Sequence, residues 1–177
     1  AGLLKTTNTI DSPLKQFQSG IKAQDVTCKE NFQLVIKTED GSPACVTQKT
    51  LHELLIRGWA TLSGPKPTSL IAVSGTNMTV NYGITNANIT SIRADTQSKS
   101  VIIDIKTAGN GVFTIDIPRI LIDARNNGGM DEPYVVLTDG MESIDFQETS
   151  TTTTDRTLMI PFEDGTQEIE IIAVSII

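Results

Sequence analysis

The residues of this chain that could do chemistry are few: two cysteines, Cys28 and Cys45, one histidine, His52, and a scatter of carboxylates. A zinc site needs more ligands than one histidine can add to two cysteines, and a redox pair is normally Cys-x-x-Cys. Buried free thiols, a metal or redox pair and a structural disulfide are the three readings of the cysteines. The disulfide fits best, because isolated cysteines either side of the turn Asp40-Gly41-Ser42-Pro43 suit a secreted domain. Closing such a loop contributes roughly 3 kcal/mol by the chain-entropy model. His52, between Leu51 and Glu53 on an expected helix, fits a surface or capping residue better than a copper ligand. No Ser-His-Asp set has independent support.

Carboxylates crowd a loop-rich segment that holds Asp123, Asp131, Glu132, Asp139, Glu142 and Asp145. Oxygen ligands from loops suit Ca²⁺, which makes Asp123, Asp131, Glu132 and Asp139 candidate ligands, although the spacing is not that of an EF-hand and acidic loops are mostly just solvated. No cofactor is expected. Asn77-Met78-Thr79 and Asn88-Ile89-Thr90 are glycosylation sequons, so Asn77 and Asn88 are candidate glycan carriers. The Thr/Ser tract at 149–154 is either an exposed strand or loop or an O-glycosylated patch.

The elements that would position these residues fall into two styles. With 177 residues, 38% hydrophobic but only 5% aromatic, the chain is long enough for a core built on Ile, Val and Leu. A net charge of −7 argues against nucleic acid and against an anionic membrane surface, since both need clustered Lys and Arg. No run of about 18 apolar residues is present to span a membrane. The chain begins at Ala1, as expected of a processed chain or an excerpt.

Residues 1–11 form a polar, Thr-rich arm in which Leu4, Thr6, Asn8 and Ile10 share a period-2 face. The segment, with Leu3 beside it, is expected as a strand that adds to a sheet edge in this molecule or its neighbour. Residues 12–60 form a small α+β module. It holds a strand at Phe32-Gln33-Leu34-Val35-Ile36-Lys37, a returning strand at Ala44-Cys45-Val46, and one helix. That helix is expected to start at Thr50 as N-cap with Glu53 as capping-box partner, bury Leu51, Leu54 and Leu55, and end at Gly58. Residues 61–76, with Pro65 and Pro67, are expected as a linker.

Residues 77–177 are all-β in pattern, with strands expected at 79–84, 89–94, 100–106, 111–117, 134–138, 143–146, 158–162 and 168–176. Val101, Ile103 and Ile105 alternate with Asp104 and Lys106, and Phe113, Ile115 and Ile117 with Thr114 and Asp116. Short alternating strands between turns at Asn86, Gly109-Asn110, Asn127-Gly128-Gly129 and Asp139-Gly140 predict an immunoglobulin-like antiparallel β-sandwich. The fold class is therefore mainly β, a disulfide-tied α+β module followed by a sandwich. Pro118 is expected to open a helical turn over 118–124. Asp164-Gly165 is expected to join the last two strands as a tight hairpin, placing the apolar C-terminal strand inside the sandwich.

The sequence Ser12-Pro13-Leu14-Lys15-Gln16-Phe17, then Cys28-Lys29-Glu30, Gly41-Ser42-Pro43-Ala44-Cys45-Val46 and Arg57-Gly58-Trp59 resembles a two-cysteine module of secreted and cell-surface proteins of ammonia-oxidising archaea. The remainder, from Asp155-Arg156-Thr157-Leu158 onward, is similar to β-sandwich domains of archaeal surface proteins. The resemblance implies an extracellular, cell-surface protein and supplies no catalytic residues. A structural protein is expected, the repeating subunit of a filament or pilus that polymerises with copies of itself by β-strand addition. A monomeric module that binds glycan or another surface protein is the alternative, and an enzyme is not expected.

Overall fold

In the computed structural model, which describes residues 9–174, the chain divides after Thr61 into two units. The first opens with helix α1 (Pro13–Gln18), where Ser12 caps the N-terminus by accepting a hydrogen bond from Lys15 N at 3.3 Å and Pro13 takes the first helical position. Strands β1 (Phe32–Lys37) and β2 (Pro43–Thr47) pair as an antiparallel hairpin, and β3 (Ala60–Leu62) lies on the other side of β1. The hairpin turn is held by Asp40, whose Oδ1 accepts from Ser42 N at 3.0 Å and from Ser42 Oγ at 2.7 Å. Cys28 and Cys45 are joined in a disulfide with their Cα atoms 5.7 Å apart, tying the segment after α1 to β2.

Helix α2 (Gln48–Ile56) starts earlier than expected. Strand β2 runs into it without a loop, so Thr47, still extended at φ −74° and ψ 157°, is the N-cap. Thr50 lies inside the first turn and donates from its Oγ1 to Thr47 O at 3.2 Å. The two helices end alike, with a glycine at positive φ (Gly20, 102°; Gly58, 66°). The following residue bonds back to the third-last helical carbonyl: Ile21 N to Gln16 O at 3.2 Å and Trp59 N to Leu54 O at 3.0 Å.

The second unit is a sandwich of two five-stranded antiparallel sheets, as predicted for the fold class. Its strands are β4 (Ser69–Ala72), β5 (Thr79–Ile84), β6 (Ala87–Asp95), β7 (Ser100–Thr107), β8 (Gly111–Pro118), β9 (Val135–Thr138), β10 (Met141–Glu142), β11 (Gln147–Thr151), β12 (Asp155–Phe162) and β13 (Glu168–Ile172). One sheet has the order β11-β12-β8-β5-β4 and the other β10-β9-β13-β7-β6. Their inner faces form one core that includes Val101, Ile103, Phe113, Ile115, Leu158, Ile160, Ile169 and Ile171, all fully buried. Strand β13 sits between β7 and β9, so the apolar C-terminal strand is an interior strand.

Four expectations need correction. Asp164-Gly165 is not a hairpin, because β12 and β13 belong to opposite sheets. It is a crossover, and it is stitched to its neighbours. Asp164 N donates to Asn110 Oδ1 at 2.8 Å, Gly165 N to Thr107 Oγ1 at 2.7 Å, and Asn86 Nδ2 to Asn110 O at 2.7 Å. These contacts link it to the β7–β8 and β5–β6 crossovers at one end of the sandwich.

The stretch 61–76 is also not a free linker. It carries β4, and it lies so close to β5 that a Cβ on Gly83 would sit 2.4 Å from Lys66 O. Residues 118–121 form a single hydrogen-bonded turn, with Leu121 N donating to Pro118 O at 2.9 Å, and no helix runs on to 124. Residues 143–146 are not a strand; the edge strand is β11 instead.

Replacing Cys28 and Cys45 with serine is expected to lower the stability of the first unit by about 3 kcal/mol. A urea titration read by Trp59 fluorescence, in this unit, measures it.

Candidate functional site

Strand β12 turns Arg156, Leu158, Ile160 and Phe162 inward on one face, so an arginine occupies the last position of an apolar row. Arg156 is 2% exposed. All five donors of its guanidinium find acceptors. Nε and Nη2 donate to Glu148 Oε1 at 3.1 and 2.7 Å, Nη1 to Asp123 Oδ1 at 3.3 Å and Ala124 O at 3.1 Å, and Nη2 to Glu132 O at 2.8 Å. The Tyr134 ring stacks 4.3 Å from Cζ, and its hydroxyl donates to Ile122 O at 3.0 Å.

Arg119 closes a second layer. It donates to both carboxylate oxygens of Asp123 at 3.0 and 3.1 Å, forms a fork with Asp131 at 2.6 and 2.8 Å, and reaches Thr152 O at 2.9 Å. Arg125 adds a contact to Asp123 at 2.8 Å. The loop from Arg119 to Tyr134 is thereby lashed to β11 and β12 at the end of the sandwich opposite the stitched crossovers.

This is an electrostatic brace. Hydrogen bonding by Arg119 holds the Asp131 carboxyl down at about 2. The same bond raises Arg119. Burial works against the charge of Arg156, but its contacts with Glu148, Tyr134 and Asp123 together outweigh it and the net shift is upward. Burial pushes the Tyr134 phenol up to about 12. At neutral pH Asp131 is therefore ionised, Arg119 and Arg156 are cationic and Tyr134 keeps its proton, so these groups orient and clamp one another.

The calcium reading therefore needs correction. Asp123 and Asp131 already face guanidiniums, Glu132 Oε1 accepts from Asn126 Nδ2 at 3.1 Å, and Asp139 Oδ1 accepts from Gln167 N and Glu168 N at 2.9 Å each. Asp123 and Asp131 meet on Arg119, Glu132 and Asp139 serve elsewhere, and among the described residues no group of three or more His, Cys, Asp or Glu side chains gathers to hold a metal ion.

The other candidates lie apart. Asn77 is exposed in the β4–β5 turn, and Asn88 is exposed on β6. Thr90, the sequon's last residue, donates to Asp104 O at 3.1 Å. His52 sits on α2. Leu3, Leu4, Thr6 and Asn8 lie outside the described residues; Ile10 is described and is 36% exposed.

Two features escaped the sequence reading. One is a cavity of about 400 Å³ between the β4–β5 turn, the β6–β7 turn and the loop after β8, lined by Thr76, Met78, Asp95, Lys99, Ile120 and Leu121 among others. Ile120, at its rim, is 86% exposed.

The second feature is the uneven protection of the sheet edges. Strand β10 has only two residues, and β6 and β11 each carry a register shift that disrupts ladder geometry. Part of β6 is also covered, where Ser74 N donates to Ile92 O at 3.0 Å and Ala94 N to Ser74 O at 3.1 Å. Strand β4 is regular, uncharged and has no partner on its outer side among the described residues. Val73 N donates to Met78 O at 2.9 Å, which marks that pair as hydrogen-bonded. By antiparallel alternation, Leu70 and Ala72 then point their N–H and C=O groups outward. Leu70 is 69% exposed.

Among the described residues no helix is long and apolar enough to cross a membrane. Fold and site together define a mainly β chain with a disulfide-tied module, an ionically braced sandwich and one open sheet edge. No protein-family model, curated protein or solved structure matches it.

Arg156→Ala is expected to cost about 3–5 kcal/mol, because Glu148 loses its guanidinium partner inside the fold. Thermal and urea unfolding of the purified variant measure this. The depressed carboxyl of Asp131 stabilises the fold above its unfolded pKa of about 4, and that contribution is lost as pH falls toward its folded value. Stability measured from pH 5 to pH 2 should therefore fall less steeply in Asp131→Asn than in the parent.

Proposed function

We propose that this chain is an extracellular structural protein, the repeating subunit of a cell-surface filament whose subunits join by β-strand addition. The observation that carries this reading is the edge of β4, left regular and uncharged where the other three edges are shortened, bulged or partly covered. Soluble proteins blunt such edges because they template pairing with another chain. A strand added there gains main-chain hydrogen bonds from Leu70 and Ala72 and an apolar contact with the Leu70 side chain. Residues 1–11, with Leu4, Thr6, Asn8 and Ile10 on one period-2 face, are the donor in this reading. Donor and acceptor are different surfaces, so the contact does not close on itself and propagates.

The disulfide Cys28–Cys45 supports an oxidising compartment. The resemblance of the first unit to modules of archaeal surface proteins supports the cell surface, and exposure of Asn77 and Asn88 is compatible with glycosylation there.

A second reading, a monomeric secreted module that binds glycan or a surface-layer protein, draws on the cavity beside Ile120. The two part on association state.

The test is electron microscopy of the purified chain alongside Leu70→Pro, which removes an outward N–H without breaking the β4–β5 ladder. The parent is expected to form filaments and the variant to remain particulate with an unchanged melting temperature. Filaments of equal length from Leu70→Pro would sink the edge assignment, and a monomeric parent at high concentration would favour the second reading.

A further inference from the structure

Helix α1 packs the opposite way from an ordinary amphipathic helix. The side chain it buries is Gln16, 8% exposed, while Leu14 and Phe17, three residues apart on the helix surface, are 51% and 39% exposed. Ile10 before it and Ile21 after it are also open, at 36% and 39%. The orientation is not loose. Gln16 Nε2 donates to Asp11 O at 2.7 Å and Thr27 O at 2.8 Å, and its Oε1 accepts from Thr27 N at 3.0 Å. These three bonds lock the helix beside the irregular segment that leads to Cys28. The apolar face is thereby held outward, and concentrated apolar patches of this kind mark interaction surfaces.

Two observations say what covers it. The apolar series begins at Ile10, where the arm assigned as donor ends, and the cavity begins where the acceptor edge ends. Strand β4 passes through Val73 and Ser74 directly to Thr76 and Met78 in the cavity wall. A donor strand running parallel to β4 would carry its own α1 to that cavity, whose rim is the exposed Ile120. The charges also match. The first unit holds seven basic and six acidic residues, net +1, so the sandwich carries −8 of the chain's −7. Contact between the first unit of one copy and the sandwich of the next is therefore favoured over contact between two sandwiches.

We propose that the apolar face of α1, Leu14 and Phe17 with Ile10 and Ile21, docks into the cavity beside Ile120 of a second copy of this chain. The contact rests on the filament reading and deepens it. Strand addition alone gives a flexible joint, whereas an apolar anchor seated in a pocket of about 400 Å³ fixes the angle between successive subunits. Lys15, exposed beside the face, would lie toward the acidic sandwich.

The experiment uses the full-length chain with Leu14→Cys and Ile120→Cys combined, both at exposed positions, and each single variant as control. Mild oxidation followed by a non-reducing gel and microscopy of the same sample reads the outcome. A ladder of covalent oligomers from the double variant, with single variants giving no more than dimers, is the expected result. Phe17→Asp should in addition raise the concentration needed for assembly by roughly tenfold, as loss of a buried aromatic anchor does. Filaments without a ladder, and unaffected by Phe17→Asp, would overturn the docking and leave the filament reading standing. A faster-migrating, internally bonded monomer would show that the face is covered by its own sandwich, which also overturns the proposal. A chain that stays monomeric at every concentration would overturn both readings.

Discussion

A guanidinium with 2% of its surface exposed must be neutralised from several sides, and Arg156 draws the sandwich end together to meet that demand. Its five bonds come from the strand beside it and from the long loop after β8. The loop has no helix or strand of its own to fix its path there. With Arg156 in place, Asp123 and Glu148 are tied in, Tyr134 is stacked, and Arg119 and Asp131 seal the outside. The loop is then set as a wall, with Ile122 and Ala124 in the core and Ile120 pushed out. The cavity is a consequence of that path.

The opposite end is tied with short polar groups. Three crossovers between the sheets meet there: Asn86 Nδ2 donates to Asn110 O, Asp164 N to Asn110 Oδ1, Gly165 N to Thr107 Oγ1, and Thr107 Oγ1 to Asp164 Oδ1. One end is thus tied by short side chains on tight turns, and the other by long cations reaching across a wide loop. The middle is an apolar core dominated by Ile, Val and Leu. The chain is left with exposed features away from this core: the β4 edge, the rim at Ile120 and the outward face of α1.

Much of this architecture can be read from residue pattern. Alternation in 100–106 and 111–117 locates β7 and β8, and turn residues separate the strands at the right places. Asp40-Gly41 marks the β1–β2 hairpin, and Gly58 the end of α2. These are local matters, decided within a few residues by backbone preference and side-chain periodicity. Arg156 was missed, because the strand expected from sequence began only at Leu158, yet a signal for it was present. It continues the inward row of Leu158, Ile160 and Phe162 by one step, and a cation on the apolar face of a strand announces a buried partner set. The carboxylates were visible as a group, but their partners were not, which is why they resembled a calcium loop.

What the sequence by itself determined is therefore the class of fold, the positions of most of the longer strands, the inward faces of β7 and β8, and the two cysteines. Only the tertiary structure decided which sheet each strand joins. A turn such as Asp164-Gly165 reverses the chain equally well within one sheet or between two, and the choice depends on strands distant in sequence. The same holds for the pairing of Asp123 and Asp131 with arginines, the free edge of β4 and the outward turn of Leu14 and Phe17. Each of these is set by what the rest of the chain already occupies, and local residue preference carries no information about that.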